Sequence, residues 1–145
     1  MAVLEKTFEI DAGHRLSHHD YECQNLHGHR YRFEVEVEGS PHAKTGMIVD
    51  FANVKDPIVD AFDHNFIFNS GDPILAVQDE LEEIQEKKFY LINGEPTAEN
   101  IAEEALRLIQ KNLSNSERER VTRIRVVLYE TPTSSVRAEQ LMDHD

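Results

Sequence analysis

Between His27 and Glu38 the chain alternates without a break. His27, His29, Tyr31, Phe33, Val35 and Val37 fall on one parity, and Arg30, Arg32, Glu34, Glu36 and Glu38 on the other. Side chains two apart on a strand share a face, so this run reads as a half-buried strand with two histidines in line with its core residues. The segment Thr7–Leu16 repeats the pattern, with Phe8, Ile10, Ala12 and His14 opposite Thr7, Glu9 and Asp11. A third alternating run, Thr122–Thr131, aligns Ile124, Val126 and Leu128 with Glu130. A carboxylate finishing an apolar face loses hydration unless a partner satisfies it.

Between the strands the signals are helical. Asp50 is placed to cap a helix running to Phe62, using Val54, Ile58 and Phe62, with Pro57 expected to kink it or to mark its true start. Asp72-Pro73 opens a short amphipathic stretch through Ile74, Val77, Leu81 and Ile84, followed by a strand around Phe89–Ile92 and a turn at Asn93-Gly94. Pro96-Thr97 precedes a helix with Ile101, Ala105, Leu108 and Ile109 in one stripe and an end near Leu113. The order predicts an α+β fold, an antiparallel sheet with helices packed on one face. No repeat, low-complexity stretch or long linker divides the chain, so residues 1–145 are expected to form one domain, which at this size buries roughly 68–70% of its unfolded surface.

Composition narrows the function. A formal charge of -13 opposes binding to a nucleic-acid backbone, and no stretch is long and apolar enough for a membrane span. Met1–Glu9 lacks the basic start and apolar run of a signal peptide. With Cys23 as its single cysteine the chain cannot form an internal disulfide, which fits a reducing, cytoplasmic setting.

The chemistry concentrates in Cys23-Gln24-Asn25-Leu26-His27-Gly28-His29. His27 and His29 can direct both imidazoles at one cation, and His14, on the apolar face of a strand able to lie alongside, supplies a third. Three histidines with an open position make a catalytic zinc arrangement. His14 alone would read equally as a core histidine. Cys23 is either a small buried hydrophobe or, four residues from a ligand, a thiol whose thiolate a nearby cation favours. Asp63-His64 is a pair able to pass protons, although such dipeptides also arise by chance. Arg15, His18 and His19 form a small basic cluster, readable as a solvated loop.

Taken together, Ala12-Gly13-His14-Arg15-Leu16, the Cys-x-x-x-His-Gly-His run, Gly46-Met47-Ile48-Val49-Asp50-Phe51, Asp63-His64, Pro96-Thr97-Ala98-Glu99-Asn100 and Glu130-Thr131 resemble the pterin synthases of the tunnelling fold, across nearly the whole chain. The resemblance implies a four-stranded antiparallel sheet, and zinc on His14, His27 and His29. It also implies a proton-transfer set of Cys23, Asp63 and His64, with Glu130 on the pterin's aminopyrimidinone edge and Thr97 against the ring. The three residues between Cys23 and His27 resemble the 6-carboxytetrahydropterin synthases, whereas the animal 6-pyruvoyl enzymes have a longer gap. That branch implies 7,8-dihydroneopterin triphosphate as substrate, and 6-carboxytetrahydropterin, acetaldehyde and triphosphate as products, on the route to deazaguanine bases. It implies a hexamer of two stacked trimers with sites between subunits. Two departures stand out: Asn65 follows His64 where many relatives have His or Lys, and the stretch Ser70–Glu95 is longer than in compact bacterial members. The rival readings are a 6-pyruvoyltetrahydropterin synthase and a pterin- or metal-binding module without catalysis.

Overall fold

The computed structural model describes residues 1–143. Its two long strands, β1 (Ala2–His14) and β2 (His27–Gly39), pair antiparallel over their whole length. The alternation read from the sequence is the packing observed: Phe8, Ile10, Tyr31, Phe33, Val35 and Val37 are buried on one face. Strand β5 (Val121–Thr131) pairs antiparallel with β2 and adds Ile124, Val126 and Leu128 to that face, and β6 (Ser134–Leu141) completes this side.

The expectation of a four-stranded antiparallel sheet is corrected on the other side of β1. There β3 (Asn65–Asn69) pairs parallel to β1, and β4 (Tyr90–Ile92) parallel to β3. The result is a mixed sheet of six strands ordered β4-β3-β1-β2-β5-β6. A parallel neighbour needs a crossover, and helix α1 (Phe51–Phe62) supplies it between β2 and β3.

Asp50 caps α1 by accepting the Ala52 N–H at 2.9 Å, and Val54, Ile58 and Phe62 face inward as the spacing predicts. Pro57 lies within the helix and does not start it. Proline has no N–H to give the carbonyl four residues back, and that group, Asn53 C=O, instead accepts from the Asn112 side-chain amide at 3.0 Å. Asn112 ends α3 (Ala98–Asn112), which lies against α1, β5 and β6 and buries Ile101, Ala105, Leu106 and Ile109. Both long helices therefore cover the same face of the sheet. The stretch opened by Asp72 is a 3-10 turn (Pro73–Val77) running into the short α2 (Gln78–Glu82), and Val77 and Ile84, expected on its apolar stripe, are exposed. The helix end near Leu113 is followed by α4 (Asn115–Arg120), capped by Ser114 and Glu117 in reciprocal hydrogen bonds. Among the described residues no helix is long and apolar enough to cross a membrane.

Candidate metal centre

Antiparallel register builds the histidine cluster. His14 pairs directly with His27, and Ala12 with His29, so three imidazoles meet where the apolar face ends. Their ligand-capable nitrogens all lie within 4.8 Å of one another. Gly28 matters because a Cβ there would press to 3.3 Å on the Ala12 carbonyl oxygen, opposing the close pairing of the strands.

Hydrogen bonds on the outer nitrogens fix what the inner ones present. His14 Nδ1 is 2.7 Å from the Pro96 carbonyl and His27 Nδ1 is 2.8 Å from the Asn25 carbonyl. A carbonyl only accepts, so each Nδ1 carries a proton, and in the neutral rings each Nε2 presents a lone pair. Those two Nε2 atoms stand 3.0 Å apart. Facing lone pairs repel unless a cation lies between them, and nitrogens held at 2.0–2.1 Å by a tetrahedral zinc stand about 3.3 Å apart. His29 Nε2 is buried and makes no hydrogen bond, although Glu130 Oε1 lies 3.4 Å away. Burial lowers the pKa of His14 and of His29, while the Pro96 carbonyl and Glu130 respectively work against that shift. Burial thus favours the neutral, lone-pair-bearing form of His14 and His29, which is the form that binds a metal.

Tyr31, a residue the sequence reading did not single out, lies beneath the cluster. It is 1% exposed, its hydroxyl is 3.3 Å from His14 Nδ1, and burial raises its pKa. Its place in the alternating run two residues after His29 was the signal available. Pro96, which orients His14 through a backbone carbonyl, offered none.

Glu130 sits one residue past the Arg32–Tyr129 pair of β2 and β5, at a register shift between β5 and β6. A bulge of this kind re-aims a side chain, and here the carboxylate comes to His29. Thr97 caps α3, its Oγ1 accepting the Asn100 N–H at 3.2 Å, which leaves the hydroxyl proton free to donate. It directly follows the residue that holds His14.

Cys23 lies half-buried in a 3-10 turn (Glu22–Gln24) just before β2. Asp63 and His64 go elsewhere. Asp63 Oδ1 accepts the Asp11 N–H at 3.0 Å and lies 3.1 Å from His64 Nδ1, while the His64 N–H donates to the Asp11 carbonyl at 2.7 Å. His64 has a positive φ of 56° and an exposed ring. It opens on a cavity of about 470 Å³ whose lining takes in Asp11, Gly13, Gly28 and Arg30 and also Ala12 and His29. One chain therefore gathers His14, His27 and His29 with Glu130 and Tyr31, while Asp63 and His64 bond to Asp11 beside a cavity that His29 also lines.

Comparison with known proteins bears on family and fold. The family model described as 6-pyruvoyl tetrahydropterin synthase matches residues 3–140. A 6-carboxy-5,6,7,8-tetrahydropterin synthase from Rickettsia conorii is 38% identical over 140 residues, covering 94% of this chain and 99% of the relative. The enzyme of that name from Haemophilus influenzae is 37% identical over 142 residues, covering 92% and 96%. Among solved structures, 6-pyruvoyl tetrahydropterin synthase from Plasmodium vivax superposes with a TM-score of 0.68 at 16% identity, covering 97% of this chain and 99% of that one. An uncharacterized protein from Wolinella succinogenes gives 0.68 at 24%, covering 98% of both. At these identities the solved structures speak for the fold, and the family model and the curated relatives for descent: the chain belongs to the 6-pyruvoyl tetrahydropterin synthase family.

Proposed function

We propose that this chain is a zinc-dependent lyase of the 6-carboxy-5,6,7,8-tetrahydropterin synthase type, converting 7,8-dihydroneopterin triphosphate to 6-carboxytetrahydropterin, acetaldehyde and triphosphate. The observation that carries the reading is the cluster of His14, His27 and His29, whose two facing Nε2 atoms call for a cation at the foot of the Cys23 loop. The carboxy name of relatives matching nearly the whole chain supports that branch over the pyruvoyl one.

His14, His27 and His29 would hold the zinc, which when bound would supply Lewis-acid polarisation of the substrate's side-chain oxygens and so acidify the neighbouring C–H bonds. The chain's own residues then divide the work. Cys23 is the general base that takes a C–H proton. Asp63 holds His64 through Nδ1 at 3.1 Å, leaving the other ring nitrogen to give or take a proton. The Glu130 carboxylate accepts the paired N–H groups of the aminopyrimidinone edge, and the Thr97 hydroxyl donates to the ring. Asp63 and His64 bond to Asp11 and not to the histidine cluster, and in this reading a complete set is assembled between subunits. Three chains closing a barrel, with two such rings stacked into a hexamer, is the arrangement this reading requires. Residues 1–145 act as a single pterin synthase domain in the cytoplasm.

Replacing Cys23 by Ala tests the division of roles. The expected variant keeps zinc and pterin binding but loses turnover; unchanged turnover would remove Cys23 from the mechanism, and a wild-type protein that binds pterin without turning it over would make the chain a binding module.

A further inference from the structure

Two carboxylates at opposite ends of the stretch Ser70–Glu95 reach back to the loop that carries Cys23. That loop leaves the sheet at Arg15, directly after His14, and rejoins it at His27. The Asp72 side chain is fully buried and both of its oxygens are used. Oδ1 accepts the Ile74 N–H at 2.9 Å, capping the 3-10 turn, and Oδ2 accepts from Arg15 Nε at 2.9 Å. Arg15 then extends to the far side of the loop, where Nη1 donates to the Gln24 carbonyl at 3.1 Å. The next residue, Leu16, donates its N–H to the Cys23 carbonyl at 2.8 Å. Both carbonyls of the Cys23-Gln24 unit are thus held from Arg15-Leu16. Glu95 fastens the loop's other limb, accepting from Ser17 Oγ at 3.0 and 3.1 Å and from the His18 N–H.

We propose that Arg15, anchored by the buried carboxylate of Asp72, is a positioning residue that sets the Cys23 thiol relative to the histidine cluster. The inference rests on the reading of Cys23 as general base. A fully buried carboxylate without its guanidinium is a stranded charge, so the pair holds its geometry firmly. The guanidinium fork lets one side chain engage Asp72 and Gln24 at once, which a lysine ammonium on a flexible stem does not reproduce. Because the cap on Ile74 uses the other Asp72 oxygen, replacing Arg15 releases the loop while leaving the 3-10 turn capped.

The test uses zinc-loaded Arg15→Met, Asp72→Asn and the double variant. Arg15→Met is expected to lower kcat on the order of 10²-fold, the scale of a misplacement of about 1 Å, with KM within about threefold of wild type. Zinc content stays unchanged, and hydrogen exchange of the amides from Leu16 to Asn25 quickens about tenfold while those of β2 do not respond. The double variant is no worse than Arg15→Met, because both changes cut one connection. Wild-type kcat, wild-type loop exchange, or additive effects in the double variant would overturn the proposal. Should Arg15→Met fail to fold because it strands Asp72, the double variant, which leaves no buried charge, carries the same kinetic and exchange readouts. Inactive wild-type protein would defeat the synthase reading instead, and loop exchange would still decide whether Arg15 positions Cys23.

Discussion

Gly13 is the tightest point of the strands beneath the cluster, and Gly13→Ala turns that tightness into a measurable quantity. A Cβ at this position would lie 2.7 and 2.8 Å from Cδ1 and Cζ of Phe66, and nearer still to Cε1. Carbon atoms rest at about 3.5–4.0 Å, so the ring must retreat by roughly 1 Å or more. It is not free to do so in every direction, because Phe66 stacks on Phe68 with centroids 5.7 Å apart and meets Phe89 edge-on at 6.3 Å. Outward movement into the cavity by His64 is open to it, and this places the cost in the ordinary range for overpacking, about 1–3 kcal/mol. Gly13 pairs with Phe66 across β1 and β3, so part of the strain falls on the parallel pairing itself. Urea unfolding of the metal-free protein should show a lower midpoint at unchanged slope. Adding Phe66→Ala removes the obstructing ring, so the double variant should be more stable than the sum of the single losses predicts, by about 1 kcal/mol. A Gly13→Ala protein within about 0.5 kcal/mol of wild type, or strict additivity, would refute the steric argument.

Two further predictions follow from the same geometry. Asn112→Ala should cost about 1 kcal/mol by leaving the Asn53 carbonyl to water, and should cost almost nothing in a Pro57→Ala background, where a backbone N–H is available again; equal losses in both backgrounds would contradict the compensation. His14 and His29 have pKa values lowered by burial from the ordinary 6.5, so below about that pH the unfolded chain binds protons that the folded chain does not. Stability of the metal-free protein should therefore be level above neutrality and fall as pH drops from 6.5 toward the lowered values, and His14→Gln should flatten that slope. An unchanged slope would mean that His14 titrates as it does in water.

What the sequence disclosed was decided by local periodicity. The parity of His14, His27 and His29 with Phe8, Tyr31 and Phe33 placed the three histidines on the core face before any pairing was known, and Asp50 and Thr97 announced helix starts because capping is a local event. Strand β4 lies within the strand read around Phe89–Ile92, but the five-residue β3 was not read, and neither parallel pairing has a local signal because its partners are distant in sequence. Strand β6 buries only Ala138 deeply, so it carries almost no alternation. Glu130 was legible as a carboxylate on an apolar face, whereas the register shift that turns it to His29 depends on β6. That Asp63-His64 bonds to Asp11 and not to the histidine cluster depends on how the turn after α1 docks on β1, a tertiary fact with no sequence period. The bond from Arg15 to the buried Asp72, 57 residues apart, is hidden for the same reason.

The most direct test of the account is to incubate zinc-loaded protein with 7,8-dihydroneopterin triphosphate, identify the pterin products by mass spectrometry and assay acetaldehyde. The account predicts 6-carboxytetrahydropterin together with acetaldehyde. A pyruvoyl product without acetaldehyde would move the chain to the other branch of its family, and absence of turnover by metal-replete protein would contradict the catalytic assignment itself.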